Sequence, residues 1–127
     1  MAIERRQYVR YIPHSNAFAA LGHKYSKVGK IKNIALGGLA FEYIAGDSSD
    51  ENTSEADIFI VGNVFYLHNI PCRIVYDFDV HVPYVNSAYV KQLTTKRCGL
   101  KFGKLSKDTI TQLILFLEAY TQKYPHS

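Results

Sequence analysis

Apolar and polar positions alternate along most of this chain, and near its end the period changes. LAFEYI (39–44) sets Leu39, Phe41 and Tyr43 against Ala40, Glu42 and Ile44, a period of two that sends successive side chains to opposite faces of a strand, the second face only partly polar. NAFAALGHKY (16–25) and VGKIKNIAL (28–36) are strand-like runs before it, and DIFIVGNVFYLHN (57–69), CRIVYDFDV (72–80), AYVKQL (88–93) and RCGLKFGKL (97–105) come after it. Pro71 and Pro83 fall at the boundaries of these runs, where a missing N–H is tolerated. About six or seven short strands at this spacing predict an antiparallel sheet closed into a barrel or folded into a sandwich. Gly37-Gly38 interrupts the stretch KNIALGGLAFEY between two strand candidates, and a hairpin turn is the economical local reading.

From residue 106 the period is helical. In SKDTITQLILFLEAYTQKY (106–124), Ile110, Leu113, Ile114, Leu117 and Tyr120 recur on one face, and Leu115 and Phe116 widen it. Ser106 is suited to the N-cap, Asp108 to the positive end of the helix dipole, and Pro125 lies just past the end. So broad an apolar face needs cover from the barrel, from a second subunit or from another protein.

The totals bound the reading without changing it. A length of 127 residues suits one domain with a real core, and 47% hydrophobic with 20% charged residues is the composition of a folded chain rather than a disordered one. No apolar run approaches the ~20 residues that span a bilayer, and MAIERRQYVR lacks the apolar core of a signal peptide, so a cytoplasmic location without membrane insertion is expected. Cys72 and Cys98 sit in no metal-ligand spacing and read as two reduced thiols.

Charge adds an asymmetry. The formal net charge is +4; Arg5, Arg6 and Arg10 crowd the start, Lys24, Lys27, Lys30 and Lys32 follow, and Lys91, Lys96, Arg97, Lys101 and Lys104 come late. The acids gather instead in AGDSSDENTSEAD (45–57), read as an exposed loop. One face is therefore suited to an anionic partner. The acidic loop fails as a calcium-binding hand, because counting from Asp47 puts Asn52 where the turn glycine belongs and Ile58 where the bidentate glutamate belongs.

Candidate catalytic chemistry is thin. The histidines His14, His23, His68, His81 and His126 form no HExxH or close pair. Asp79 and His81 share one strand face in DVHVP, where a solvated surface is a simpler reading than a metal site. No glycine-rich loop fits a nucleotide fingerprint. Neither an enzyme nor a metal nor a bound cofactor is expected.

What remains is RRQYVR (5–10) together with NIALGG (33–38). Arginine pairs two donors with a phosphate or with the O6/N7 edge of guanine, and its plane stacks on bases. At this pair of motifs the chain resembles the PilZ domain family, bacterial receptors of cyclic di-GMP, whose pattern is RxxxR followed by [DN]xSxxG. RQYVR (6–10) matches the first in full; NIALGG matches the second at Asn33 and Gly38 but has Ala35 in place of serine.

The resemblance covers essentially the whole chain. It implies a mainly β fold, a six-stranded antiparallel barrel with a C-terminal α-helix, in a single domain over 1–127: a basic arm at 1–12, the barrel at 16–105 and the helix at 106–124. It further implies cyclic di-GMP as ligand. Arg6 and Arg10, with Arg5 as a third contact, would meet guanine edges and phosphates; Asn33 would face a guanine edge; Gly37 and Gly38 would let the backbone approach without a Cβ. Ala35 removes a hydroxyl, and a net hydrogen bond of that kind is worth roughly 0.5–1.5 kcal/mol, so weaker binding rather than none is expected.

The arm is expected to be mobile without ligand and to fold over it, changing the surface offered to a downstream protein. Two rivals stand beside this reading. One is a PilZ-like adaptor that binds no nucleotide and acts by protein contact, favoured by Ala35. The other is a small barrel for single-stranded nucleic acid, suggested by basic residues interleaved with Tyr8, Tyr11, Tyr25 and Tyr43, though aromatics are common in barrel cores. Pairing with a second copy of the chain is left open.

Overall fold

In the computed structural model, residues 9–14, 16–22, 26–45, 54–80 and 94–123 are described. Strand β1 (Tyr11–Pro13) is followed by β2 (Ala17–Leu21), β3 (Lys27–Ala35), β4 (Gly38–Ile44), β5 (Glu55–Ile60), β6 (Tyr66–Asp79) and β7 (Thr95–Phe102). Helix α1 (Lys107–Tyr120) and a last strand β8 (Thr121–Lys123) complete the order. The sheet runs β2-β5-β6-β7-β4-β3, and β2 also pairs with β3. Six antiparallel strands thus close on themselves, and β1 and β8 extend from the far half of β3.

The period-two pattern explains the closure. Inward positions such as Leu21, Ile34, Phe41, Ile58, Ile70 and Cys98 are fully buried, and most outward neighbours are polar or small. The helix plugs the core: Leu113, Phe116 and Leu117 are buried, and Phe116 packs against Phe65 and Tyr120 with ring centroids 5.3 and 5.8 Å away. Ser106 caps it, accepting a hydrogen bond from the Thr109 N–H at 3.1 Å.

Several boundaries differ from the sequence reading. The run 57–69 is two strands, because Asn63 Oδ1 accepts the Phe65 N–H at 3.2 Å and closes a turn between β5 and β6. Pro71 lies inside β6, not at a boundary, at the step where that strand leaves β5 for β7 and where its missing N–H costs least. The acidic loop ends earlier than 57: Asp57 belongs to β5, and its buried carboxylate accepts from the Tyr66 hydroxyl at 3.0 Å and the Asn69 N–H at 2.8 Å. The turn between β3 and β4 is Leu36-Gly37, and Gly38 already belongs to β4.

The helix stops at Tyr120 rather than 124. Thr121 is β-branched, its hydroxyl donates to the Leu117 carbonyl, and its backbone pairs with Pro13 in β1. Ile110, Ile114 and Leu115, assigned to the apolar face, remain exposed, and the packed stripe is 113/116/117/120. The segments 46–53 and 88–93, together with His81, Pro83 and Pro125, lie outside the described residues. No helix among the described residues is long and apolar enough to cross a membrane.

Candidate functional site

The stretch Lys32–Gly38 owes its presentation to an irregularity. Between Ile31 and Asn33 the β3–β4 register shifts, pairing Ile31 with Phe41 and Asn33 with Ala40, so that Lys32 is the extra residue of a β-bulge. A regular strand would carry Ile31 and Asn33 on the same face. The bulge turns Ile34 into the core and leaves Asn33 and Ala35 on the outside, half-buried.

The same bulge marks where β3 changes neighbours. Up to Lys30 its edge is occupied by β2; beyond it, Ile34 pairs with Tyr11 of β1. Continued by one residue, that register would set Arg10 beside Ala35, on the outward face shared with Asn33. Arg5 and Arg6, in the arm that leads to it, lie outside the described residues.

Gly38 has a reason for being glycine that does not involve a ligand. A Cβ built there would lie 2.1 Å from the carbonyl oxygen of Leu100, because β4 and β7 cross closely at that point. Gly37 sits in the turn, and its carbonyl accepts from Phe102 N–H at 2.9 Å. The two glycines thus hold the turn against β7, and the backbone they keep bare belongs to the outer surface beside Ala35.

Residues that the motifs did not point to complete the patch. Across the outward face, Asn33 is followed by Ala40, Gly99 and Tyr76; in the adjoining row Ala35 is followed by Gly38, Lys101 and Arg73. Ala35, Gly38, Ala40 and Gly99 are small; Ala35 and Gly38 are half-buried, while Ala40 and Gly99 are buried. The Tyr76 ring covers Gly99 so closely that a Cβ there would stand 2.2 Å from it, and Tyr76 stacks on Phe78 at 5.4 Å. A second register shift, at Val75, turns Tyr76 outward. Plain alternation in CRIVYDFDV marks Arg73 as outward between inward Cys72 and Ile74, but without the bulge it assigns Tyr76 to the core.

The electrostatics of the face are one-sided. Arg10, Lys30, Arg73, Arg97 and Lys101 occupy outward positions near the patch, and Glu42 is the carboxylate among them. Glu42 is committed to Arg97, whose Nε donates to it at 2.9 Å and whose Nη2 makes a second contact. A depression of about 280 Å³ adjoins the turn, lined by Leu36, Gly37, Lys101, Phe102, Leu105 and Ile110 among others. Among the described residues no cluster of three metal-ligating side chains occurs. Burial pushes the Cys72 thiol up to about 11 and Cys98 up to about 12, so neither is a nucleophile at neutral pH.

No family model matches the chain, and no curated protein matches its sequence. Among solved structures, the PilZ domain of YcgR from Escherichia coli with c-di-GMP superposes with a TM-score of 0.62 at 16% identity, over 91% of this chain and 92% of that one. YcgR from Escherichia coli in complex with c-di-GMP superposes with a TM-score of 0.58 at 16% identity, over 91% of this chain and 47% of the other. The fold is thus that of a PilZ domain, the six-stranded barrel and C-terminal helix expected from the sequence.

Proposed function

We propose that the domain is a receptor for cyclic di-GMP, bound on the outward face of β3, β4 and β7 beneath the arginine arm. The observation that supports the reading is the register of β1 on β3, Tyr11 opposite Ile34, whose continuation by one residue would bring Arg10 to the side of Ala35 and Asn33. The chemistry agrees. A cyclic dinucleotide offers two phosphodiesters and two guanines; Arg10, and Arg5 and Arg6 before it, supply forked donors, while Asn33 supplies an amide donor and acceptor. The half-buried Ala35 and Gly38 leave room on this face for a flat ligand, and the exposed Tyr76 ring offers a stacking surface. The two solved structures named above are complexes with c-di-GMP, which supports the same ligand here.

In this reading residues 5–10 close over the ligand, and the covered face is what a downstream protein detects. Titration calorimetry tests the binding: wild type gives saturable heat with cyclic di-GMP, and Arg10→Ala weakens it by more than about tenfold. Wild-type protein giving no heat at high micromolar ligand would sink the proposal and favour the contact adaptor. Hydrogen exchange slowed at residues 4–12 by saturating ligand is the expected mark of closure, and unchanged exchange there would remove the relay from the proposal.

A further inference from the structure

Arg73 of β6 and Lys101 of β7 stand directly opposite one another on the ladder, and both are exposed. Their neighbours Cys72, Ile74, Leu100 and Phe102 face the core, which sends the two cations to the same outer side. Like charges in directly opposed cross-strand positions are destabilising. Elsewhere on these strands the chain answers its cations with acids: Arg97 is held by Glu42, and Lys96 lies 4.0 Å from Asp77 and 3.8 Å from Asp79. Among the described residues, Arg73 and Lys101 make no ion pair. Among the described residues, no acid compensates this cation pair.

Its place in the fold says what compensates it. From Lys101 the row continues through Gly38 to Ala35 and, one register step beyond Tyr11, would reach Arg10. Strands lie about 4.8 Å apart, so roughly 14 Å of small-residue floor separates the column of Lys101 from that of Arg10. At one side of this trough lies the position of Arg10. At the other are Arg73 and Lys101, with Lys101 also at the edge of the depression beside the turn.

We infer that Arg73 and Lys101 form a second anion-binding wall that takes a phosphodiester of the ligand across the floor from Arg10. The wall supplies charge-assisted contacts where Ala35 supplies none, and it rests on the cyclic di-GMP reading above.

The test pairs calorimetry with melting of the ligand-free protein, using Lys101→Glu, Lys101→Gln and the double variant Arg73→Gln/Lys101→Gln. Lys101→Glu sets an acid opposite Arg73, so the ligand-free melting temperature should rise while cyclic di-GMP affinity falls by about tenfold or more. The double glutamine variant should melt no lower than wild type, bind about tenfold more weakly, and lose part of the salt dependence of binding. Effects of opposite sign in the two readouts are what a merely structural role would not produce. Wild-type affinity and salt dependence in the double variant, with wild type itself binding, would overturn this inference and leave the proposed function intact. A lowered melting temperature in Lys101→Glu would overturn it as well. Absence of saturable heat from wild type would overturn both.

Discussion

Strands β6 and β7 carry charge on both of their faces, and the two faces treat it differently. On the inward side at one end of the barrel, the Tyr43 hydroxyl donates to the two Asp77 oxygens at 2.8 and 2.9 Å, and Lys96 lies 4.0 Å from Asp77. The Lys27 ammonium lies 5.8 Å from the centre of the Tyr43 ring. On the outward side, Arg73 faces Lys101. Inside, an unpaired charge or hydroxyl costs its desolvation, and the Tyr43 hydroxyl there meets the Asp77 carboxylate. Outside, water tolerates an excess of one sign, and that excess remains available to an anion from solution. The positions left unbalanced are therefore more informative about function than the balanced ones.

Alkali should break the inward side most thoroughly. Cys98 and Cys72 are raised from 9.0 to about 12 and about 11, chiefly by burial, and Tyr43 is raised by burial and by its hydrogen bond to Asp77. The folded state keeps protons that the unfolded chain gives up, so their contribution is intact below about pH 9 and is lost as pH climbs toward 12. Urea midpoints measured across that range should fall steeply; a flat profile would contradict the burial of these groups.

Single substitutions come next. Gly38→Ala forces a Cβ against the Leu100 carbonyl and should cost about 3 kcal/mol in chemical denaturation, removing the floor of the outward patch with it. Asp77→Ala strands the Tyr43 hydroxyl and should cost about 2 kcal/mol, with Asp77→Asn costing less because an acceptor remains. Neither Asp77 variant should alter ligand affinity by more than a small factor, since Asp77 faces inward; a large loss would blur the distinction between the faces. The smallest expected effect is Ala35→Ser, an outward change that should tighten cyclic di-GMP by about fivefold and leave stability near wild type.

Much of this was legible in the residues. Period-two alternation gave the strands, the change of period gave the helix, and NIALGG marked the end of β3 where β1 pairs with it at Tyr11 and Ile34. What stayed hidden was set by registers between distant segments. The bulges at Lys32 and Val75 reverse the inside and outside of everything beyond them, and no local pattern announces a bulge. Arg73 and Lys101 looked like ordinary surface cations until pairing set them opposite each other. Gly38 was legible as a special position, but its reason, the Leu100 carbonyl, comes from a strand far along the chain. Strands β1 and β8 are three residues each and pair only with one another and the end of β3, too short to leave a periodic signal.

That small β1–β8 ribbon has a kinetic meaning. Tyr11 pairs with Lys123, and the His14 N–H reaches the Tyr120 carbonyl at 2.7 Å, joining segments from opposite ends of the described chain. So short a ribbon is held by few hydrogen bonds, and the closed barrel does not depend on it. The ribbon should therefore form last and open first, as a sub-global unit whose amides exchange well before those of the closed barrel. Because Arg10 hangs from it, the arginine side of the site can let go and re-form while β3, β4 and β7 keep the floor in place.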